Sequence, residues 1–92
     1  MIGKEVIIRT YSAGVHFGTL VSKKKKEVVL KNARRIWYWE GAFTLSGIAE
    51  KGVANTSKIS TVAPEILLTE AIEIIPCTEA AAANLRALKS HE

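Results

Sequence analysis

Short apolar runs separated by turn-forming residues characterise the first part of the chain. The runs 6–11 and 15–22 are rich in β-branched and aromatic side chains, which is typical of β-strands. Ser12-Ala13-Gly14 between them has the composition of a tight turn. Gly18, in the middle of the second run, indicates a bulge or a strong bend. This part therefore predicts a hairpin whose second strand is bent.

Two further runs, 27–30 and 34–40, predict a third and a fourth strand. Residues 31–33 interrupt them, and Asn32 tolerates the left-handed conformation that a bulge or a turn needs. Because side chains alternate across a strand, the fourth strand is predicted to place three large residues on one face. These residues are Arg35, Trp37 and Trp39.

The second part of the chain contains two segments with a helical period. Apolar residues at spacings of three and four predict one or two helical turns after Thr44, with Gly52 as the stop. Thr78 is a suitable N-cap for an alanine-rich helix from Glu79 to about Ser90. Both helices need a surface to pack on.

The segments between these helices complete the predicted architecture. Residues 53–63 are small and polar and predict an exposed loop, whereas 65–69 and 71–75 predict two strands or one bent strand. The expected fold is α+β: a strongly bent antiparallel β-sheet or small barrel, with a short inserted helix and a C-terminal helix. We expect a single domain over 1–92, with a β-rich core over 1–76 and the C-terminal helix over 77–92. The order of short strands is similar to that of Sm-like and SH3-like small barrels.

The length of 92 residues and the hydrophobic content of 48% allow one small core. A monomer of this size is only marginally stable, which favours association with further copies. No apolar run approaches the length of a membrane span, and from the first residues we expect no signal peptide. With one cysteine in the sequence, we expect a soluble protein of a reducing compartment.

The composition disfavours an enzyme. The chain has no aspartate and no glutamine, and His16 is its only histidine outside the last residues. Cys77 has no basic neighbour in sequence that would activate its thiol, so a buried structural thiol is favoured. We expect no catalytic residues, no cofactor and no metal site. His16 itself is either a structural hydrogen-bonding residue or a ligand contact.

The formal net charge of +4 derives from the run Lys23–Lys26, since the remaining basic and acidic residues balance. A lysine run at a hairpin tip is usually a solvated surface that keeps the chain soluble. The alternative is a patch that attracts phosphate groups and gives salt-sensitive binding to nucleic acid.

The segment 32–39, Asn32-Ala-Arg-Arg-Ile-Trp-Tyr-Trp39, carries the strongest binding chemistry. Guanidinium groups bind phosphates, and flat aromatic rings stack on nucleobases. The alternative is that Trp37 and Trp39 belong to the core or to a subunit interface. A second polar cluster closes the first strand at 9–12. Arg86 and Asn84 on the last helix are candidates to complete a pocket across a subunit boundary.

Three stretches, Val6–Leu20, Val28–Trp39 and Ile72–Thr78, resemble a family of small phage and prophage proteins, the Thoeris anti-defence sponges. The resemblance implies a homo-oligomer, dimeric or hexameric, that acts in the cytoplasm of the infected bacterium. It implies sequestration of nucleotide immune signals without cleavage: glycocyclic ADP-ribose and, in some members, cyclic di- or trinucleotides. The predicted ligand-binding residues are Arg9, Tyr11, Ser12, Ala13, His16, Asn32, Arg34, Arg35, Trp37 and Arg86.

Two other functions remain open. An Sm-like small-barrel protein would use the lysine run and the arginine–tryptophan strand to bind nucleic acid. A structural phage accessory protein would bury Trp37 and Trp39 in an interface with a protein partner.

Overall fold

Six antiparallel β-strands and two helices make up the protein in a computed structural model, which describes residues 1–91. The strands are β1 (Glu5–Thr10), β2 (Val15–Lys24), β3 (Glu27–Tyr38), β4 (Lys58–Ile59), β5 (Ala63–Leu68) and β6 (Ala71–Pro76). The helices are α1 (Leu45–Lys51) and α2 (Glu79–Ala87). The predicted α+β class is confirmed. No helix among the described residues is long and apolar enough to cross a membrane.

The strand order is β4-β3-β2-β1-β6, and β5 pairs with the first half of β3. Consequently β5 and β6 lie at opposite edges of the sheet, although only residues 69 and 70 separate them in sequence. The sheet must curl for this short connection to reach both edges. Within the described residues β5 and β6 do not pair, so the sheet is not closed and the small-barrel alternative is wrong.

Both faces of the sheet are covered by apolar side chains, because the sheet curls on one side and the helices pack on the other. Ile7, Phe17 and Ile36 form a buried cluster with Ile48 of α1 and Leu85 of α2. The intervening residues of β1 point to the opposite face, inside the curl. There they pack in a second cluster composed of Val6, Ile8, Leu20, Val28, Leu30, Ala33 and Leu68.

Strand β3 continues through the interruption predicted at 31–33. Asn32 adopts a φ of 51°, but β2 and β5 pair on either side of this segment and keep it in the sheet. The register of β2 and β3 shifts here, because Phe17 pairs with Arg34 and Thr19 with Lys31. The extra residue therefore lies on β3, and the bulge predicted at Asn32 is confirmed, opposite Gly18. A Cβ at Gly18 would lie 3.1 Å from the carbonyl oxygen of Lys31, so the two strands approach closely here.

The helix ends follow their predicted local signals. Thr44 accepts a hydrogen bond from the Gly47 N–H, and Gly52 ends α1 with a φ of 80°. Thr78 accepts from the Ala81 N–H at the start of α2. Helix α2 ends at Ala87, earlier than predicted. The predicted loop 53–63 contains the short strand β4, which sequence periodicity did not indicate.

Candidate ligand-binding site

A cleft of about 420 Å³ opens on the helix-covered face of the sheet, between the ends of β1 and β6 and the β3–α1 connection. We call it the Arg9 cleft. Its chemically distinctive lining residues are Arg9, Trp39, Phe43, Ser46 and Glu73. It therefore combines a cation, a carboxylate, a hydroxyl and two aromatic rings around one cavity.

Strand register brings the charged residues of the cleft together. Arg9 of β1 pairs with Glu73 of β6, and the guanidinium Nη1 lies 3.9 Å from the carboxylate Oε1. Both side chains are more than half exposed, at 58% and 51%. An exposed pair at this distance is weak, so the guanidinium remains accessible to an anionic ligand.

The aromatic residues of the cleft differ in how they are held. Trp39 is half-buried and packs against the core cluster of Ile7, Phe17 and Ile36, which supports its ring. Phe43 lies in the connection before α1 and is fully exposed. A fully exposed phenyl ring beside a supported indole offers apolar surface to a ligand with a flat ring system.

A second cation–aromatic surface lies near the C-terminal end of β3. Trp37 is 53% exposed, and the Nζ of Lys58 lies 5.9 Å from the centroid of its ring. Arg35 is also exposed, and its backbone N–H donates to the Ser60 hydroxyl at 2.8 Å. This surface presents two cations and an indole. It is open and does not form part of the Arg9 cleft.

The sheet separates the two surfaces. Arg9 pairs with Val15 and Val15 with Ile36, whereas the neighbouring row joins His16 to Arg35. Adjacent rows of a sheet point to opposite faces, so Arg9 and Arg35 lie on opposite sides.

Trp39 does not share a face with Arg35, contrary to the predicted alternation. The register shifts between Ile36 and Tyr38, and the strand ends at Tyr38. Trp39 then packs on the same core cluster as Ile36. The predicted face of three large residues is therefore wrong, and only Arg35 and Trp37 remain on it.

His16 holds the Arg35 side chain through a hydrogen bond. Its side chain is fully buried, and its Nε2 accepts a hydrogen bond from the Arg35 Nε at 3.3 Å. Because Nε2 is the acceptor, the ring proton belongs on Nδ1, which is buried without a hydrogen-bond partner among the described residues. Burial, with the charge of Arg35 as a second cause, lowers the pKa of His16 to about 4. The imidazole is therefore neutral at pH 7.

Arg34, although adjacent to Arg35, has a different environment. It is only 3% exposed, and its guanidinium donates to the carbonyl oxygens of Ser60, Leu85 and Arg86. A fourth hydrogen bond reaches the Ser90 hydroxyl. Four donors are thus engaged by the C-terminal end of α2 and its surroundings. This predicted ligand residue holds the helix on the sheet.

Asn32 and Arg86 lie together at a groove between the sheet and α2. Both line cavities of about 270 and 710 Å³, which share Glu5 and Thr19 as well. Arg86 forms an ion pair with Glu5, so a carboxylate already accompanies its guanidinium. These two predicted residues are brought together, but away from the Arg9 cleft.

The predicted residues Tyr11, Ser12 and Ala13 form the exposed β1–β2 turn. The Ala13 N–H donates to the Thr10 hydroxyl at 2.8 Å, and that hydroxyl donates to the Gly14 carbonyl at 2.9 Å. The Ala13 N–H is therefore already engaged by Thr10.

Two observations concern metal binding and nucleophilic chemistry. No group of three or more histidine, cysteine, aspartate or glutamate residues among them is placed to hold a metal ion. Burial and the nearby charge of Glu5 raise the pKa of Cys77 to about 11, so its thiol is protonated at neutral pH. A protonated thiol is a poor nucleophile.

Sequence patterns did not identify Phe43, Glu73 or Lys58 as site residues. Phe43 follows the last strand residue of β3 in a segment without periodicity, and Glu73 meets Arg9 only through the β1–β6 register. Lys58 belongs to a two-residue strand inside a predicted loop. Of these three residues, only Phe43 had a signal in the sequence that could have identified it: it is an isolated aromatic residue flanked by small and polar residues.

Comparison with known proteins gives one match. A family model described as "Domain of unknown function (DUF6948)" matches residues 3–85. No curated protein and no solved structure matches the chain.

Proposed function

The chain belongs to the DUF6948 domain family, whose function is unknown, and we propose that this protein binds a small nucleotide and sequesters it without cleavage. The observation that carries the proposal is the placement of Arg9, Trp39 and Phe43 around one cavity of about 420 Å³. Cavities that bind small ligands commonly have 300–1,000 Å³, with apolar walls and few polar groups.

Each part of the cleft matches a part of a nucleotide. A base stacks on Phe43 or Trp39, as bases do on exposed aromatic side chains. The Arg9 guanidinium binds phosphate, to which its planar donors are suited. Glu73 and the Ser46 hydroxyl are placed to accept hydrogen bonds from ribose hydroxyls or from an exocyclic amine.

The charge of Glu73 also favours selectivity. Its carboxylate lies in the same cavity as Arg9, and a ligand with phosphate at every position would be repelled from that side. A ligand with phosphates at one part and hydroxyl or amine groups at another satisfies both residues. Cyclic ADP-ribose derivatives have this distribution.

The biological setting follows from the resemblance to the Thoeris anti-defence sponges. We propose that the ligand is a nucleotide immune signal such as glycocyclic ADP-ribose, with cyclic di- or trinucleotides as further candidates. We propose equally that the protein acts as a homo-oligomer, dimeric or hexameric, in the cytoplasm of an infected bacterium.

The proposal is tested by calorimetric titration of the purified protein with cyclic ADP-ribose isomers and cyclic oligonucleotides. Arg9→Gln and Phe43→Ala should each weaken binding by at least tenfold, while Arg35→Gln on the opposite face should leave it within threefold. Mass spectrometry of the recovered ligand should show it intact.

Three results would contradict the proposal. If no compound of the panel gives a binding heat, the protein does not bind such a nucleotide. If the recovered ligand is chemically altered, the protein does not act by sequestration. Loss of binding in Arg35→Gln with retention in Arg9→Gln would move the site to the Arg35–Trp37 surface.

A further inference from the structure

The tip of the β2–β3 hairpin carries four consecutive lysines, Lys23–Lys26, which we call the lysine turn. All four are exposed. The Nζ of Lys23 donates to the carbonyl oxygen of Lys25 at 2.8 Å, which draws its ammonium group over the turn. Four positive charges are therefore concentrated within one turn.

These charges are not paired within the described part of the chain. The ion pairs there join Arg9 to Glu73 and Arg86 to Glu5, and none includes the lysine turn. The nearest carboxylate in sequence, Glu27, is exposed and does not bond to the lysines. The turn thus presents a net positive field, with four lysines against Glu27.

The backbone of the turn favours a different residue from the one it contains. Lys25 has a φ of 55°, in the left-handed region that glycine and asparagine adopt more readily than lysine does. The lysine here adds charge at the expense of local conformational preference.

An exposed aromatic ring lies on the other side of the neighbouring turn. At the start of β6, the Ala71 N–H donates to the Lys26 carbonyl oxygen at 3.0 Å. One residue earlier, the Glu70 carbonyl oxygen accepts from the Tyr11 N–H at 2.9 Å. The lysine turn and Tyr11, which is 77% exposed, therefore flank the same two residues.

A concave surface accompanies this arrangement. A cavity of about 430 Å³ is lined by Lys24, Lys25, Lys26, Glu27 and Thr69. Glu27 in the cavity lining and the exposed Glu70, whose backbone carbonyl oxygen accepts from Tyr11, are the unfavourable charges of the region.

We propose that the lysine turn and Tyr11 form a surface that binds single-stranded nucleic acid without preference for its base sequence. Lysine ammonium groups contact successive phosphates, and Tyr11 stacks on an unpaired base. A single strand fits because a duplex offers no free base face to Tyr11. An anionic lipid surface would contact the lysines but offers no base to Tyr11. This function is independent of nucleotide capture in the Arg9 cleft.

Fluorescence anisotropy with a labelled twelve-residue oligo-dT measures the proposed binding. Single-stranded binding loses about 0.7 in the slope of log K against log salt per phosphate neutralised, so four lysines give a slope of about −2.8. Affinity should then fall about 50-fold between 50 and 200 mM salt.

Matched variants separate the local surface from overall charge. Replacing Lys23, Lys24 and Lys26 by glutamine should nearly abolish binding, whereas replacing the exposed Lys4, Lys51 and Lys89 should not. Both triple variants lower the formal net charge from +4 to +1.

Two single substitutions complete the series. Tyr11→Ala should weaken binding about 5- to 150-fold, the range for one stacked base, and Tyr38→Ala on the opposite end of β3 should not. Lys25→Gly keeps the turn geometry and should reduce the salt slope by about 0.7. Because glycine suits this φ, a folding defect cannot explain that change.

The proposal is overturned if wild-type protein does not bind the oligonucleotide at 50 mM salt, or if both triple variants weaken it equally. It is also overturned if a duplex of the same length, or vesicles of phosphatidylcholine and phosphatidylserine, bind more tightly than the single strand. Nucleotide titration of the lysine variants should be unchanged, so failure of either proposal is distinguishable from failure of the other.

Discussion

Acidification should destabilise the protein through His16. The imidazole is fully buried, and burial together with the charge of Arg35 lowers its pKa to about 4 from an ordinary value of 6.5. Between pH 6.5 and 4, His16 is therefore protonated in the unfolded chain but remains neutral in the folded chain. Stability is complete above pH 6.5 and is lost as the pH falls toward 4.

The difference between the two pKa values sets the size of the effect. A shift of one unit corresponds to 1.36 kcal/mol, so the full loss is about 3.4 kcal/mol below both values. At pH 5 the loss relative to pH 7.5 is about 2 kcal/mol. That pH lies above the ordinary range for glutamate, and the chain has no aspartate, so carboxyl titration contributes little there.

Urea unfolding at pH 7.5, 6.5, 5.5 and 5.0, followed by circular dichroism, measures this loss. The wild-type protein should lose about 2 kcal/mol, while His16→Phe, which retains a ring but cannot titrate, should lose less than about 0.5 kcal/mol. Equal pH dependence in the two proteins would refute the argument. So would a His16 pKa above 6 from NMR titration of the imidazole.

Three further outcomes follow from individual side chains. Arg34→Met should cost about 3 kcal/mol in urea unfolding because several buried carbonyls lose their donor, whereas exposed Arg9→Met should change stability by less than about 0.5 kcal/mol; equal costs would contradict the assigned role. Lys25→Gly should raise stability by about 0.5–1 kcal/mol in the same assay, and a loss would show that the left-handed φ is not costly there. Cys77 should react with a thiol reagent at pH 8 about 100-fold more slowly than free cysteine, because burial raises its pKa; a rate like that of the free amino acid would mean that the thiol is accessible and ionised.

Features with a local cause were predictable from the sequence. The caps Thr44 and Thr78 and the stop at Gly52 satisfy backbone groups within a few residues, so they can be identified without knowledge of the fold. The same holds for the bulge at Asn32, a residue type that tolerates the left-handed φ. Pairing of β3 with strands on both sides continues the strand past this bulge, which the local signal alone did not predict.

Features that depend on register were not predictable. Arg34 and Arg35 are neighbours of the same type, yet one is buried against α2 and the other exposed over His16. Which arginine faces which side depends on how β3 pairs with β2, and this cannot be read from a single strand. For the same reason the predicted ligand residues that lie on strands are distributed over both faces of the sheet.

The placement of the ligand in the Arg9 cleft is tested most directly by the two indole N–H signals in a proton–nitrogen NMR spectrum. The chain has two tryptophans, Trp37 and Trp39, on opposite sides of the sheet, and Trp37→Phe assigns their signals. Addition of a cyclic ADP-ribose isomer should shift the Trp39 signal in a saturable manner and leave the Trp37 signal in place. A shift of Trp37 alone, or of neither signal at millimolar ligand, would contradict nucleotide capture in the Arg9 cleft.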